Sequence, residues 1–335
     1  MVKIIGLCLG LYAFTFQAPQ DTFFDYLQKN KVSDLTIVSN YIWLSKNKFI
    51  DTTLDCRIQW MIDGKAMTVK GDLTLRGKTR RRICDYPPIK LNLSKKDLKT
   101  LGLNHVVEEY KLVQPCKNAD NGEDLLQREL LAYQLIQLID SHSFNTHHIN
   151  LKLQNENGTS HVQHQAFFME SEEEIGLRLN LEPLDGMNND FKITTENHLR
   201  LALLQLFVGN DDWDVNAQRN VFLLKDTAGQ VLPIAYDFDY SGLVAANYAR
   251  PNPNLPPHML RDRVYMGPKV DEVLWNKVRA DFLSRRDQIL EFLKNTDTVK
   301  ADTRRDITSF IRAFFADIKN IKPPATNSVY RYALE

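Results

Sequence analysis

The chain has 335 residues, which is long enough for one large or two modest domains with substantial hydrophobic cores. Its 42 basic and 42 acidic residues give a formal net charge of zero. This balance argues against general binding to polyanions, so we expect no nucleic-acid partner.

The N-terminal segment, residues 1–18, has the pattern of a secretory signal peptide. Lys3 precedes an uncharged apolar run, and Ala18 supplies a small residue at the expected cleavage point. A buried N-terminal strand is the alternative interpretation. The run is too short for a membrane span and no other stretch approaches that length, so we expect none. The mature protein is therefore expected to be secreted or periplasmic.

Three cysteines, Cys56, Cys84 and Cys116, lie beyond this segment. At most one intramolecular disulfide bond can form among them, and one thiol would be left over. The sequence contains no CxxC pair, so we expect neither a cysteine metal site nor a redox function. A free buried cysteine is the default expectation for each of the three.

Alternating polar and apolar residues from Leu35 to Leu93 predict antiparallel strands. Asp63 and Gly64 separate two of these runs and predict a two-residue hairpin turn. A Pro-Pro pair then breaks the pattern before a short strand that contains Lys90. The basic run at residues 78–82 either binds phosphate or an acidic substrate, or forms a solvated turn.

Helical spacing predicts helices at residues 124–140, 273–294 and 304–321. Asn157 and Gly158 predict the turn of a further hairpin between the first two of these helices. The histidines of this region lack the spacing and the partners of a zinc site, so ordinary surface histidines are expected.

A third hairpin is predicted at residues 221–236, directly after an acidic loop. Two apolar runs flank the turn-forming segment DTAGQ. If Leu224 faces Pro233, the same register places Asn220 opposite Asp237. The two ends of the hairpin would then meet in space.

Acidic side chains gather at these hairpin ends. Residues two apart in a strand point to one face, so Asp237 and Asp239 are expected to face one ligand. Crowded carboxylates raise each other's pKa unless a cation neutralises them. We therefore predict a site for Mg²⁺ or Mn²⁺, which prefer hard oxygen ligands, with a solvated acidic loop as the alternative. The candidate residues are Asp211, Asp212, Asp214, Asn220, Asp237 and Asp239.

The segment at residues 247–267 is rich in proline and asparagine and has no steady periodicity. Long irregular segments in compact domains are often functional, so this segment is a candidate for covering the site or binding substrate. Arg261 and Arg263 are either contacts for an acidic substrate or ordinary surface charges.

An aspartate loop, an asparagine leading into a strand and a hairpin ending in aspartate resemble the catalytic and metal-binding segments of protein-kinase-like folds. More narrowly, the chain resembles the CotH family of secreted atypical kinases. The matching residues are Asn220 in NVFLLKD, Asp237 and Asp239 in YDFD, and the turn Arg76-Gly77 followed by Lys90 in a strand.

The resemblance implies an α+β protein with a two-lobed protein-kinase-like fold. After the signal peptide, a β-rich N-terminal lobe would span residues 19–171, and a mainly helical C-terminal lobe with the catalytic hairpin would span residues 172–335. The implied activity is that of a kinase that uses ATP with Mg²⁺ or Mn²⁺. It would transfer a phosphoryl group to a secreted or envelope protein or to another envelope acceptor.

The resemblance also implies roles for single residues. Asp237 would hold the metal that bridges the phosphates, with Asn220 and Asp239 completing its coordination. Asp212 would be the base or orient the nucleophile, with Asp211 as the second candidate. The nucleotide-binding residues would be Lys90 on the phosphates, Glu129 paired with Lys90, and Arg76 and Gly77 in place of a glycine-rich loop.

Two other classes of function remain open. A non-catalytic kinase-like module would use the acidic cluster to bind a metal and a protein or glycan partner. A hydrolase with a carboxylate pair would use Asp212 and Asp237, but it gives Lys90 no role.

Overall fold

The computed structural model describes residues 20–117, 121–158, 161–184, 192–323 and 328–330. The predicted signal peptide at residues 1–18 lies outside these ranges. The described residues form ten helices and twelve strands. The helices are α1 Phe23–Lys29, α2 Tyr41–Lys46, α3 Lys78–Ile83, α4 Lys95–Thr100, α5 Gly122–Ile139, α6 Glu172–Leu179, α7 Thr195–Val208, α8 Glu272–Ser284, α9 Arg286–Asn295 and α10 Ala301–Ile318. The strands are β1 Asp34–Val38, β2 Leu54–Ile62, β3 Lys65–Leu75, β4 Ile89–Leu93, β5 Glu109–Val113, β6 Thr146–Gln154, β7 His161–Met169, β8 Glu182–Pro183, β9 Val221–Lys225, β10 Val231–Ala235, β11 Arg263–Tyr265 and β12 Ser328–Tyr330.

Seven strands close into a barrel in the order β1-β2-β3-β4-β5-β7-β6. All neighbours are antiparallel except β1 and β6, which run parallel from the pair Asp34 and Asn150 to the pair Val38 and Gln154. This parallel pair joins the two ends of the sheet, so the barrel strands have partners on both sides.

The barrel encloses a hydrophobic core to which α1 also contributes. Inward-facing residues alternate along the strands, because successive side chains of a strand point to opposite faces. Phe23 of α1 packs its ring edge-on against Trp60 and Tyr110, with ring centroids 5.4 Å apart in both pairs. The hairpin turn predicted at Asp63 and Gly64 is confirmed, since Ile62 pairs with Lys65 around it.

A second hydrophobic core joins the outer face of the barrel to the C-terminal helices. Val113 of β5 and Met169 of β7 point out of the barrel and pack with residues of α5 and α7 in this core. Helix α5 therefore belongs to the second core, although it precedes the predicted lobe boundary at residue 171. The β9–β10 hairpin packs on α7 in the same core.

The predicted two-lobed kinase-like fold is wrong. The N-terminal half forms a closed seven-stranded barrel, and the C-terminal half contains the three-stranded sheet β10-β9-β8 and the pair β11-β12 besides its helices. The alternation of side chains predicts strands but does not reveal which strands pair. Asp34 and Asn150, which stand at the closure, are 116 residues apart in the chain.

Smaller predictions also need correction. In the hairpin formed by β9 and β10, Leu223 pairs with Pro233, so the register differs by one residue from the predicted one and Asn220 lies opposite Tyr236. The helix predicted at residues 273–294 is divided into α8 and α9 at Arg285. None of the described helices is long and apolar enough to cross a membrane.

Cys84 and Cys116 form a disulfide bond, and Cys56 is a buried free thiol. The expectation of a free cysteine is therefore wrong for the first two residues. Cys84 directly follows α3, and the backbone N–H of Asp85 donates to the carbonyl of Cys116 at 2.7 Å. The bond thus fixes the end of α3 to the segment that follows β5.

Candidate functional site

The acidic loop begins where α7 ends at Gly209, whose left-handed φ of 67° lets the chain turn away from the helix axis. The next residue, Asn210, is buried and donates from Nδ2 to Gln205 Oε1 at 2.9 Å. Its Oδ1 accepts the backbone N–H of Asp212 at 3.0 Å. These bonds hold the backbone of Asp212 in place before any ligand arrives.

Asp212 faces Asn220 and Arg219. Asn220 Nδ2 donates to the backbone oxygen of Asp212 at 2.6 Å and to its Oδ2 at 3.1 Å. Arg219 Nε lies 3.2 Å from Asp212 Oδ1. Burial raises the pKa of Asp212, the charges of Asp237 and Asp211 add to this rise, and Arg219 and Asn220 oppose it. A carboxylate with a raised pKa is suited to accept a proton at neutral pH.

The two ends of the β9–β10 hairpin meet at Asn220 and Asp237. Both have left-handed backbone conformations, with φ of 53° and 62°. Residues other than glycine adopt this conformation at a cost, and such strain is concentrated at functional sites. The N–H of Tyr236 donates to the carbonyl of Asn220 at 3.2 Å, and the N–H of Asp237 donates to Tyr133 Oη at 2.9 Å.

Arg80 is the centre of the buried charges beside this hairpin. Its Nη2 donates to Glu129 Oε2 at 2.9 Å and to Asp237 Oδ1 at 3.2 Å, and its Nε donates to Asp239 Oδ2 at 3.0 Å. The contacts join three elements, namely α3, α5 and the end of β10. Asp237 and Asp239 therefore both contact one cationic group, the guanidinium of Arg80.

One guanidinium faces three carboxylates in this cluster. Burial disfavours the charge of Arg80, but Asp239, Glu129 and Asp237 outweigh this effect and raise its pKa well above the usual value. Burial raises the pKa of Glu129 and of Asp239, and the charges of the neighbouring carboxylates raise it further, whereas Arg80 opposes both effects. Tyr248 Oη also donates to Asp239 Oδ2 at 3.1 Å.

Asp237, Asp239 and Asp211 differ in exposure. The side chain of Asp237 is 42% exposed, whereas that of Asp239 is 6% exposed. Asp211 is buried, accepts the N–H of Asn252 at 2.9 Å and lies 2.6 Å from His258 Nε2. Asp211 and Asp239 are thus engaged internally, and of these three Asp237 is the carboxylate that an incoming ligand can reach.

The irregular segment at residues 247–267 is tied to this site by those contacts of Asp211 with Asn252 and His258. Arg261 pairs with Asp306 at 2.8 Å on the partly exposed side of the segment. Arg263 is fully buried, stacks on the ring of Phe310 and donates to the carbonyl of Leu206 at 2.9 Å. It is therefore neither a surface charge nor a contact for substrate.

Lys90 does not pair with Glu129. Its Nζ lies 3.0 Å from Glu109 Oε2 on the neighbouring strand, and both side chains are about 40% exposed. Glu129 is instead bound to Arg80. A surface cavity of about 410 Å³ lies beside Lys90, with Thr74, Asn92 and Glu173 in its lining.

Arg76 and Gly77 form the turn between β3 and α3. Gly77 directly precedes the first residue of α3 and has a φ of 78°. A residue with a side chain would adopt this backbone conformation only under strain. Arg76 lies close enough to Tyr133 and Tyr236 for its charge to act on both phenols. Its Nε is buried and has no hydrogen-bond partner among the described residues. The turn therefore places a cation next to the end of β10.

Sequence reasoning missed Arg80 and Lys111. Arg80 belongs to the basic run at residues 78–82, which was interpreted as a phosphate site or a solvated turn, and the side chain is 11% exposed. Lys111 lies on β5 opposite Lys90, is 12% exposed and forms an ion pair with Glu172. A lysine in an alternating strand gives no sign in the sequence of which face it occupies.

The predicted metal ligands do not form a dedicated metal cage. Within the described ranges, no group of three or more His, Cys, Asp or Glu side chains is arranged to hold a metal ion. The candidate donors that remain are the exposed carboxylate of Asp237 and the Oδ1 of Asn220, whose Nδ2 is already bound to Asp212.

Comparison of the chain with protein-family models, with curated proteins and with solved structures gave no match. The candidate site is therefore interpreted from its own geometry.

Proposed function

We propose that the protein binds a magnesium nucleoside triphosphate at Asp212, Asn220 and Asp237 and transfers its terminal phosphoryl group to an acceptor. The observation that carries this proposal is the convergence of the three residues at the open end of the β9–β10 hairpin. Asn220 bonds to Asp212, and the charge of Asp237 acts on the same Asp212 carboxylate.

The donor set suits magnesium bound together with phosphates. Mg²⁺ is commonly held by one or two carboxylates together with substrate phosphates and water, rather than by an all-protein cage. Asp237 offers one accessible carboxylate, and Asn220 offers one amide oxygen. The bound ion would neutralise charge on the phosphate oxygens. Asp239 would act indirectly, because its carboxylate holds Arg80.

Asp212 would accept the proton of the acceptor hydroxyl group. The acceptor oxygen would then bond to the terminal phosphorus, the bond from that phosphorus to the bridging oxygen would break, and the nucleoside diphosphate would leave. Most of the catalysis of phosphoryl transfer comes from positioning and charge neutralisation. Asn210 and Asn220 supply the positioning, because they bond to the backbone and side chain of Asp212.

The disulfide bond supports an acceptor outside the cytoplasm. Structural disulfides form and persist in oxidising compartments and are rare in the cytosol. The Cys84–Cys116 bond fixes the end of α3, the helix that carries Arg80. We therefore place the activity in the secreted or periplasmic space, with an envelope or secreted protein as the acceptor class.

Calorimetric titration with ATP tests the proposal. We expect the wild-type protein to bind ATP in the presence of Mg²⁺, and to lose this binding when EDTA removes the metal. Asp237→Asn should weaken binding about tenfold or more, because a carboxylate that faces the metal is lost. Asp214→Asn is the matched control, since Asp214 caps a turn in the same loop by accepting the N–H of Ala217. Equal binding by both variants would contradict the proposal.

A non-catalytic binding module is the second candidate, and one observation favours it. Arg80 already neutralises part of the charge of Asp237 and Asp239, so the acidic cluster is stable without any metal. Such a module would bind its protein or glycan partner equally well with EDTA present, and ATP would not compete with that partner.

A further inference from the structure

Lys111 lies at the boundary between the barrel and the second core. It points outward from β5, between inward-facing Tyr110 and Leu112, which belong to the barrel core. Its register partner on β7 is Met169, which packs into the second core. Its side chain is 12% exposed, so its ammonium group sits in a largely desolvated position. A lysine at such a position needs an anionic partner.

Glu172 is that partner in the ligand-free protein. It is in the first turn of α6, directly after the N-cap Ser171, and its side chain is 28% exposed. The Glu172 charge also acts on the phenol of Tyr236, the residue before Asp237. Tyr133, which accepts the N–H of Asp237, packs its ring 5.9 Å from that of Phe167 on β7. The register partner of Phe167 is Val113, two residues from Lys111 on the same face of β5, so the ion pair lies on the side of the barrel that faces the proposed phosphate site.

Arg76 approaches the same place from the barrel side. Its charge also acts on the Tyr236 phenol, and its Nε is buried without a partner among the described residues. Arg76 and the ion pair of Lys111 with Glu172 are thus both close to Tyr236, the residue that precedes Asp237. This arrangement provides positive charge for the phosphates of a nucleotide whose metal is held by Asp237.

We infer that Lys111 is the phosphate-binding lysine of the nucleotide site, and that Glu172 forms an ion pair with its ammonium group until a polyphosphate ligand displaces the carboxylate. This inference rests on the proposed nucleotide binding. It assigns to Lys111 the role that the sequence suggested for Lys90. It also predicts that Glu172 weakens binding, since its contact with Lys111 must be broken when the phosphates bind.

Lys90 provides a matched control. It is the register partner of Lys111 on β4, so both residues lie on the outer face of the barrel. Its side chain is 40% exposed and pairs with Glu109, which is 42% exposed. An exposed pair of this kind contributes little to binding or stability. Glu173, the exposed neighbour of Glu172, provides the corresponding control for the acidic partner.

The test measures the Kd of Mg-ATP by calorimetry for the wild type and four variants. Lys111→Met should weaken binding about 10- to 100-fold, as expected for the loss of one hydrogen bond to a charged group. Glu172→Gln should instead tighten binding, by about threefold or more, because Lys111 no longer has a competing anion. Lys90→Met and Glu173→Gln should leave Kd within about twofold of the wild type.

The opposite signs of the two main effects keep the test independent of folding defects, because a misfolded variant cannot bind more tightly. Unchanged binding by Lys111→Met, or weaker binding by Glu172→Gln, would overturn the inference while Asp237-dependent binding by the wild type still supported the proposed function. If the wild type bound no Mg-ATP, the proposed function and the inference would both fail.

Discussion

A single buried guanidinium group, that of Arg80, faces the buried carboxylates of Glu129 and Asp239 and the partly exposed carboxylate of Asp237. Burial raises the pKa values of Glu129 and Asp239, and the neighbouring carboxylates raise them further, because the charge of one cation does not balance three anions. The arrangement is stable because each carboxylate has a direct hydrogen bond to the guanidinium.

Replacement of Arg80 tests this dependence. Arg80→Met should lower the free energy of unfolding by about 3–5 kcal/mol, because it leaves buried carboxylates without their cation. The loss should be smaller in acid, where the carboxyl groups are protonated. Arg82→Met, an exposed change in the same helix, should cost less than about 0.5 kcal/mol in the same urea denaturation experiment.

A double variant checks the cause of that loss. Adding Glu129→Gln to Arg80→Met removes one of the unpaired buried charges, so it should recover part of the lost stability. If the double variant were less stable than Arg80→Met alone, the loss would not arise from unpaired carboxylates.

Glu174 predicts a pH dependence of stability. This residue is buried, and burial raises the pKa of its carboxyl group to about 7. Because the folded protein holds this proton more tightly than the unfolded chain does, stability falls as the pH rises from the ordinary glutamate pKa toward 7. Glu174→Gln should therefore stabilise the protein above pH 7, by up to about 3 kcal/mol, and the gain should vanish below the ordinary glutamate pKa, at about pH 4.

The measurement is the melting temperature as a function of pH, with Glu173→Gln as the control at an exposed neighbouring position. Glutamine can still accept the N–H of Ser171, which now donates to Glu174 Oε2 at 2.8 Å, so the cap of α6 is kept. A constant difference between Glu174→Gln and the wild type at all pH values would exclude a titration of this group.

At the scale of single residues, the sequence predicted the acidic loop and hairpin end but not the partners of these residues. Asp212, Asn220 and Asp237 do converge, because a short hairpin brings its two ends together whatever the rest of the fold is. Arg80 was missed because its partners Glu129 and Asp239 are 49 and 159 residues away in the chain. The sequence signal for Arg80 is the basic run at residues 78–82, taken together with the excess of carboxylates in the acidic loop and at the hairpin end.

At the scale of elements, α3 connects the disulfide bond with the candidate site. Arg80 lies in the middle of α3, and Cys84 follows its end. Lys48 Nζ also donates to the carbonyl of Cys84 at 2.6 Å. The disulfide and these hydrogen bonds restrict the movement of α3, so we expect them to hold Arg80 against its three carboxylates.

The variant Cys84→Ser/Cys116→Ser tests this connection. The bond closes a loop with a sequence separation of 32 residues, which corresponds to about 4 kcal/mol of stability in the chain-entropy model. A reducing agent should lower the melting temperature of the wild type and leave that of the double variant unchanged. Equal melting temperatures of oxidised wild type and variant would show that the bond does not stabilise the fold.

The register of the β9–β10 hairpin differs by one residue from the predicted register because of the length of its loop. The connection is a five-residue loop in which Asp226 N–H donates to the carbonyl of Gln230 at 3.0 Å, and Asp226 Oδ1 accepts the N–H groups of Ala228 and Gln230. Loop length sets the register of a hairpin, and the predicted centre of the turn was half a residue away. The two-residue turn at Asp63 and Gly64 left no such freedom.

At the scale of the whole molecule, closure of the barrel depends on the parallel pair β1 and β6. The strands of the barrel were largely predictable from alternation, whereas the closure was not, because it joins distant parts of the chain through backbone hydrogen bonds that any residue can make. The resemblance to a kinase-like family predicted a two-lobed fold, which the closed barrel contradicts.

Hydrogen exchange tests the closure. In a closed barrel the amides of β1 are paired on both sides of the strand, so residues 34–38 should exchange about as slowly as those of β4 at residues 89–93. An open sheet that ended at β1 would leave one side of that strand unpaired, and residues 34–38 would then exchange much faster than β4. Peptide-resolved mass spectrometry distinguishes the two cases.

The central claim is that Asp212, Asn220 and Asp237 hold the metal and phosphates of a nucleotide. The most direct measurement is a crystal structure with Mn²⁺ and a non-hydrolysable ATP analogue, in which anomalous scattering locates the ion. We predict a peak within about 2.5 Å of side-chain oxygens of Asp237 and Asn220, with phosphates on the side of Lys111. A nucleotide bound elsewhere, or an ion that contacts neither residue, would contradict the account.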